Sequence, residues 1–97
     1  MTVDVRSVHF DLGDASREYL DKKLERIGYA KDMIVDLIFV FTKDKDFKLE
    51  VNTNFRWGTQ AHLEEHDYDI TGGIDRLFDR LEQKITKEKE KVQDRKP

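Results

Sequence analysis

A chain of 97 residues, 37% hydrophobic and 40% charged, builds one modest core and excludes a two-domain protein. It has no cysteine, which excludes disulfides, thiolate metal sites and cysteine nucleophiles and agrees with a reducing compartment. A net charge of −3 speaks against a general polycation, although polyanion binding depends on where cations cluster more than on their sum.

Residues 2–10, TVDVRSVHF, place Val3 and Val5, then Val8 and Phe10, among polar neighbours. The alternation changes phase at Arg6–Ser7, so a first strand with a bend or bulge there is expected. Asp11-Leu12-Gly13-Asp14 reads as a turn, with Asp14 as the N-cap of a helix over 15–29. In that helix Ser16, Leu20, Leu24 and Ile27 share a face, Tyr19 lies at its edge, and Gly28 is the expected terminator. Residues 34–42, IVDLIFVFT, are β-branched and aromatic on both parities. They read as a strand that is either buried on much of both faces or covered on one.

Lys43–Asp46 is a polar turn that suggests a hairpin. The cleanest alternation follows. Phe47, Leu49, Val51, Phe55 and Trp57 interleave with Lys48, Glu50, Asn52, Asn54 and Arg56, one face for the core and one for water. Gly58-Thr59 marks a turn into a weaker fourth strand over 59–66. Asp69 or Thr71 can cap the closing helix, Gly73 to Val92.

In that helix Ile74, Leu77, Phe78, Leu81, Ile85 and Val92 gather on one face. Arg76, Arg80, Lys84, Lys87 and Lys91 fall within an arc of roughly 80° away from it, and Asp75, Asp79, Glu82 and Glu90 mostly fill the next sector. Such a ridge is either a solvated face held by ion pairs four residues apart or a surface for a polyanion. The element order is therefore β-α-β-β-β-α. It describes an α+β two-layer sandwich, a four-stranded sheet carrying two helices on one face. Residues 1–92 form the expected single domain and 93–97 a frayed polar tail.

Six Phe, three Tyr and one Trp supply core bulk and favour folding over disorder. No apolar run reaches membrane-spanning length and the N-terminus has no signal-peptide pattern, so a cytoplasmic protein without membrane contact is expected. Chemistry for catalysis is sparse. On a strand, His62 and His66 lie about 13 Å apart and cannot share a metal. There is no HExxH pattern, and no metal or cofactor is expected. No isolated carboxylate pair sits in an apolar pattern. Gly72-Gly73 matches neither GxGxxG nor a P-loop and reads as a tight entry to the helix. The cations carry more. Lys22, Lys23 and Arg26 can stand beside the ridge if both helices pack on one sheet face, and Lys48 and Arg56 line a strand's polar face. Without an RNP-like aromatic platform, recognition of RNA shape and backbone fits better than base stacking.

The first helix, ASREYLDKKLERI, and the last, DITGGIDRLFDRLEQKITKEKEK, resemble the two helices of the ribosome hibernation promoting factor family, also called ribosome-associated inhibitor A, protein Y or sigma-54 modulation protein. Asp69, Ile74, Asp75, Leu77, Asp79, Leu81, Thr86, Lys87, Lys89 and Lys91 match the family's pattern. The resemblance covers nearly the whole chain. It implies a fold similar to double-stranded RNA-binding domains and occupation of the messenger and transfer RNA channel of the small ribosomal subunit, against 16S rRNA. Such occupation silences ribosomes under stress, with no catalysis and no small-molecule substrate. It carries Arg80, Lys87, Lys89 and Lys91 of helix two, and Lys23 of helix one, to RNA-contacting positions. Arg76 and Lys84 join them from the geometry of the ridge alone. It also implies the short form, without the family's ribosome-dimerising C-terminal domain, and a monomer is expected. The chain departs from the pattern at Thr71, Gly72-Gly73 and Gln83, around Arg6–Ser7, and in its acidic balance. A non-ribosomal protein-interaction or regulatory module of the same fold is the alternative reading.

Overall fold

Strand β1 (Thr2–Val8) leads through helix α1 (Asp14–Arg26) into β2 (Ile34–Lys43), and β3 (Phe47–Phe55), β4 (Gln60–Asp67) and helix α2 (Ile70–Asp94) complete the expected order. The computed structural model describes the backbone of residues 1–94 and the side chains of residues 1–92. The frayed tail expected over 93–97 does not begin at 93, since α2 continues through Asp94, and 95–97 lie outside the described residues. The sheet runs β1-β2-β3-β4, with β1 parallel to β2 and the other pairs antiparallel. The parallel pair is what a strand–helix–strand connection requires.

One face of the sheet is covered. Leu37, Phe39 and Phe41 of β2 and Leu49, Val51 and Phe55 of β3 are buried with Leu20 and Ile27 of the α1 segment and Ile74, Leu77, Leu81 and Ile85 of α2. On the opposite parity Asp36, Ile38 and Val40 are only half-buried, so β2 is covered on one face and partly open on the other. The Phe39 and Phe78 rings stack at 5.6 Å and join sheet to helix. Each such fully buried side chain contributes about 1.5–3 kcal/mol of transfer free energy, set against the cost of ordering it.

Several local expectations change. Strand β1 pairs one-to-one with β2 from Thr2↔Asp36 to Val8↔Thr42, so no bulge interrupts Arg6–Ser7. The phase change marks the strand's exit instead. His9 adopts φ 68°, tolerable for histidine, and swings Phe10 edge-on against Phe47 at 5.2 Å. The irregularity falls in β2, where Val35 is inserted between Ile34↔Phe55 and Asp36↔Asn54. That bulge lets both Ile34 and Leu37 face the core while Val35 stays exposed.

Gly13, not Asp14, holds the N-cap position of α1, with extended backbone and a carbonyl that accepts from the Arg17 N–H at 2.9 Å. Asp14 becomes the acidic residue of the first turn, where a negative charge suits the helix dipole. Helix α1 stops at Arg26, and Gly28 opens a 3-10 turn, Gly28–Ala30, that carries Ala30 into the core beside Ile27. Strand β3 ends at Phe55 because Gly58, at φ 93°, reverses the chain and donates to the Phe55 carbonyl at 3.0 Å. Trp57 therefore sits in the turn, stacked on Phe55 at 5.4 Å.

Helix α2 begins before Gly73. Asp69 caps it, its Oδ2 accepting from the Gly72 N–H at 3.3 Å. A Cβ on Gly73 would lie 2.5 Å from Leu49 Cδ1 and one on Gly72 2.8 Å from Asp67 Oδ2. The glycine pair is thus the point where the helix backbone approaches the sheet closely, the tight entry that the sequence indicates.

Candidate functional site

Helix α2 carries three stripes. Its apolar stripe lies on the sheet, its basic flank leans over β4, and its acidic flank turns toward α1. Lys23 Nζ lies 2.9 Å from Asp75, and Arg26 3.8 Å from Glu82, so the cations of α1 meet acids rather than the basic ridge. The two basic groups do not form one surface, contrary to the arrangement considered from the sequence. Lys23 is mostly buried and also lies over the Tyr19 ring at 5.4 Å, while the Tyr19 hydroxyl donates to Asp75. The bond from Tyr19 and the pair with Lys23 hold the Asp75 carboxyl below its ordinary value. Lys23 is raised by the same carboxylate. This triad fastens α1 to α2.

Arg76 and Arg80 reach the outer strand. The Arg76 guanidinium donates to the His66 carbonyl and lies 3.2 Å from Asp67. Arg80 donates to the Glu64 carbonyl at 2.7 Å and lies 3.8 Å from Glu65. The geometry follows from element rises. Four helical residues advance about 6 Å and two strand residues about 6.6 Å, so arginines four apart meet carbonyls two apart. Both guanidiniums thereby cover the free edge of β4, which would otherwise invite pairing with another strand.

Lys84 and Lys91 converge on Glu88, at 3.1 Å and 3.7 Å. Glu88 is only 2% exposed and lies on the apolar stripe, three residues after Ile85 and seven after Leu81. The Trp57 Nε1–H donates to its other oxygen at 3.2 Å. Burial pushes its carboxyl up, but Lys84, Trp57 and Lys91 outweigh that, and it titrates below the ordinary glutamate range. Neither Glu88 nor its pairing with Trp57 stands out in the sequence. The available signal is an acid in phase with the stripe and a tryptophan that needs an acceptor.

Lys87 and Lys89 are exposed, and among the described residues neither makes an ion pair. From Lys89 to Val92 every residue is exposed, so the buried stripe of α2 closes at Glu88. Of the seven candidate cations, Lys87, Lys89 and Lys91 are thus the ones presented to solvent on the distal half of α2. Lys89 points to a different flank from Lys87.

The open sheet face brings together what sequence spacing leaves apart. Glu50, His62 and Glu64 offer ligand atoms all within 4.8 Å of one another, a spacing that suits a divalent cation. The Lys48 ammonium, 3.7 Å from Glu50 and 3.8 Å from Glu64, competes for the same carboxylates. His66 Nε2 lies 3.0 Å from Glu64 and its Nδ1 3.5 Å from Asp46, which raises the imidazole's pKa and lowers that of Glu64. No helix is long and apolar enough to cross a membrane among the described residues.

A profile of the family described as sigma 54 modulation protein / S30EA ribosomal protein matches residues 3–93. The ribosome hibernation promoting factor of Azotobacter vinelandii is 29% identical over 92 residues, 94% of this chain and 85% of the relative. That of Pseudomonas putida is 29% identical over 94 residues, 96% of this chain and 91% of its own. Among solved structures, a ribosomal subunit interface protein from Coxiella burnetii superposes with a TM-score of 0.83 at 26% identity, covering 92% of this chain and 98% of that one. The N-terminal domain of Thermus thermophilus protein Y superposes with a TM-score of 0.76 at 27% identity, covering 90% and 98%. The family resemblance carried by the two helices is borne out.

Proposed function

The chain belongs to the sigma 54 modulation protein / S30EA ribosomal protein family, and on that premise we propose that it is a non-catalytic, cytoplasmic translation inhibitor. In this reading residues 1–92 act as one ribosome-binding domain that occupies the messenger and transfer RNA channel of the small subunit and keeps idle ribosomes inactive under stress. The observation that carries the reading is the distal half of α2, where Lys87 and Lys89 face solvent without an ion pair among the described residues and Lys91, 63% exposed at its side chain, only borders Glu88 at 3.7 Å. Relatives of 85–91% coverage are named as ribosome hibernation promoting factors, and a structural neighbour as a ribosomal subunit interface protein, which supports the same partner.

The structure shifts the weight among the candidate residues. Arg76 and Arg80 are engaged with β4, Lys84 with Glu88 and Lys23 with Asp75. Backbone contacts to rRNA fall first to Lys87, Lys89 and Lys91, with Arg80 and Lys84 at the margin. Three phosphate contacts imply a loss of about fortyfold in affinity for a fourfold rise in salt. Co-sedimentation with purified small subunits at 50 and 200 mM salt measures this, as about the range over which counterion release operates. Salt-sensitive binding supports the reading. Absence of binding at both concentrations sinks it and leaves the protein-interaction module, which the self-neutralised ridge favours.

A further inference from the structure

The acidic flank of α2 borders a groove that ribosomal RNA would avoid. Tyr29, in the 3-10 turn after α1, faces Asp79, Glu82, Thr86, Lys87 and Glu90 across a shallow groove open to solvent. Tyr29 is 60% exposed, an unusual position for an aromatic ring in a chain with little apolar material to spare. Asp79, Glu82 and Glu90 step by three and eight residues and so share one helical stripe. Among the described residues Asp79 and Glu90 make no ion pair, and Glu82 has only Arg26 at 3.8 Å. Lys87 is the one cation on the lining among the described residues. Burial and the nearby Glu82 both push the Tyr29 phenol above its ordinary value.

We propose that this groove binds an extended, arginine-rich segment of a partner protein. The groove complements such a segment in both charge and shape. A guanidinium lies flat on a phenol ring and at the same time donates two parallel N–H bonds to a carboxylate, and Tyr29 opposite Glu82 offers that pairing. Asp79 and Glu90 lie on either side of Glu82 along the helix, about 4.5 and 12 Å away by rise, so successive side chains of an extended peptide, about 6.6 Å apart on one face, fall between them. RNA phosphates are repelled by the same three acids. Negative charge is then concentrated where it recognises a basic chain, with Lys87 the single ridge cation that reaches the lining among the described residues. The groove is formed by this chain alone, so its occupancy does not depend on the ribosomal reading.

The test is fluorescence anisotropy with a labelled ten-residue peptide of alternating arginine and glycine, about 30 Å when extended. The comparison peptides replace each arginine with lysine or with neutral citrulline. The expected results are binding of the arginine peptide, weaker binding of the lysine peptide and none of the citrulline one. The variant Asp79→Asn/Glu82→Gln/Glu90→Gln is expected to lose about tenfold in affinity, three weak ion pairs in sum. The variant Glu18→Gln/Glu25→Gln/Asp44→Asn removes the same charge from exposed positions elsewhere and is expected to bind as the wild type. Tyr29→Leu is expected to reduce the preference for arginine over lysine, leaving the part that the two parallel bonds to Glu82 supply. Equal loss in the two triple variants, or no binding of the arginine peptide, overturns the proposal. So does a Tyr29→Leu protein that keeps the arginine preference in full. An oligouridine RNA that loses affinity on neutralising Asp79, Glu82 and Glu90 would assign the groove to RNA and overturn it as well.

Discussion

Replacing Glu88 with glutamine separates the structural and binding roles of the distal lysines. The change conserves volume and keeps an acceptor for the Trp57 N–H, so what is lost is charge. Lys84, 28% exposed at its side chain, stands 3.1 Å from the carboxylate, and this shielded pair contributes up to about 1 kcal/mol. Lys91, 63% exposed at 3.7 Å, contributes close to nothing after screening by solvent. Glutamine also removes the cost of burying a charge, but the depressed pKa shows that attraction wins. The expected loss is about 1 kcal/mol, or about 4–8 °C in Tm for a chain of this size.

The sign with pH is fixed by the same shift. A carboxyl depressed on folding stabilises above its unfolded pKa of about 4.3, and that stabilisation disappears as pH falls through the folded value. Thermal melts followed by circular dichroism at pH 7 and pH 3 should therefore show a gap between wild type and Glu88→Gln that closes in acid. At pH 7 the variant frees Lys84 and Lys91, so its affinity for small subunits should rise although its stability falls. An unchanged Tm at pH 7, or a gap that persists at pH 3, would refute the reasoning.

Gly73→Ala gains about 1 kcal/mol of helix propensity but drives a methyl into the fully buried Leu49 side chain. A net loss of about 1 kcal/mol is expected in chemical denaturation, and a stabilised variant would show that the helix can lift off the sheet. Arg76→Ala/Arg80→Ala uncovers the β4 edge, and sedimentation velocity should report concentration-dependent self-association with little change in ribosome binding. A sedimentation coefficient unchanged from that of the wild type would remove the edge-covering role. His66 should titrate by NMR above its ordinary 6.5, with Glu64→Gln lowering it, because Glu64 is the chief cause of the shift. Its contribution to stability is present below that ordinary value and is lost as pH rises through the raised one.

What could be read from the sequence was what depends on neighbours in the chain. The alternation of Phe47 through Phe55 gave β3, and the spacing of Ile74 through Ile85 gave the buried face of α2, because both periods are local. Trp57 continued the alternation on paper, yet Gly58 at φ 93° ended the strand before it. The ridge was legible as an arc of cations, but its partners were not. Arg76 and Arg80 meet carbonyls of β4, and Lys84 meets a buried acid whose own partner is Trp57, 31 residues away in the chain. The Glu50–His62–Glu64 group was invisible for the same reason, since cross-strand register assembles it. Tertiary packing, rather than pattern, decides which charges remain available.

The most direct measurement is co-sedimentation of Lys87→Glu/Lys89→Glu/Lys91→Glu with small subunits at low salt, beside Arg76→Ala/Arg80→Ala at equal concentration. All three lysines are exposed, and because Lys91 lies 3.7 Å from the buried Glu88, circular dichroism and a thermal melt of the variant accompany the assay to check the fold. Loss of association by the lysine variant, with near-normal association of the arginine variant, is the result the account predicts. A lysine variant that sediments with the subunit as the wild type does would contradict it.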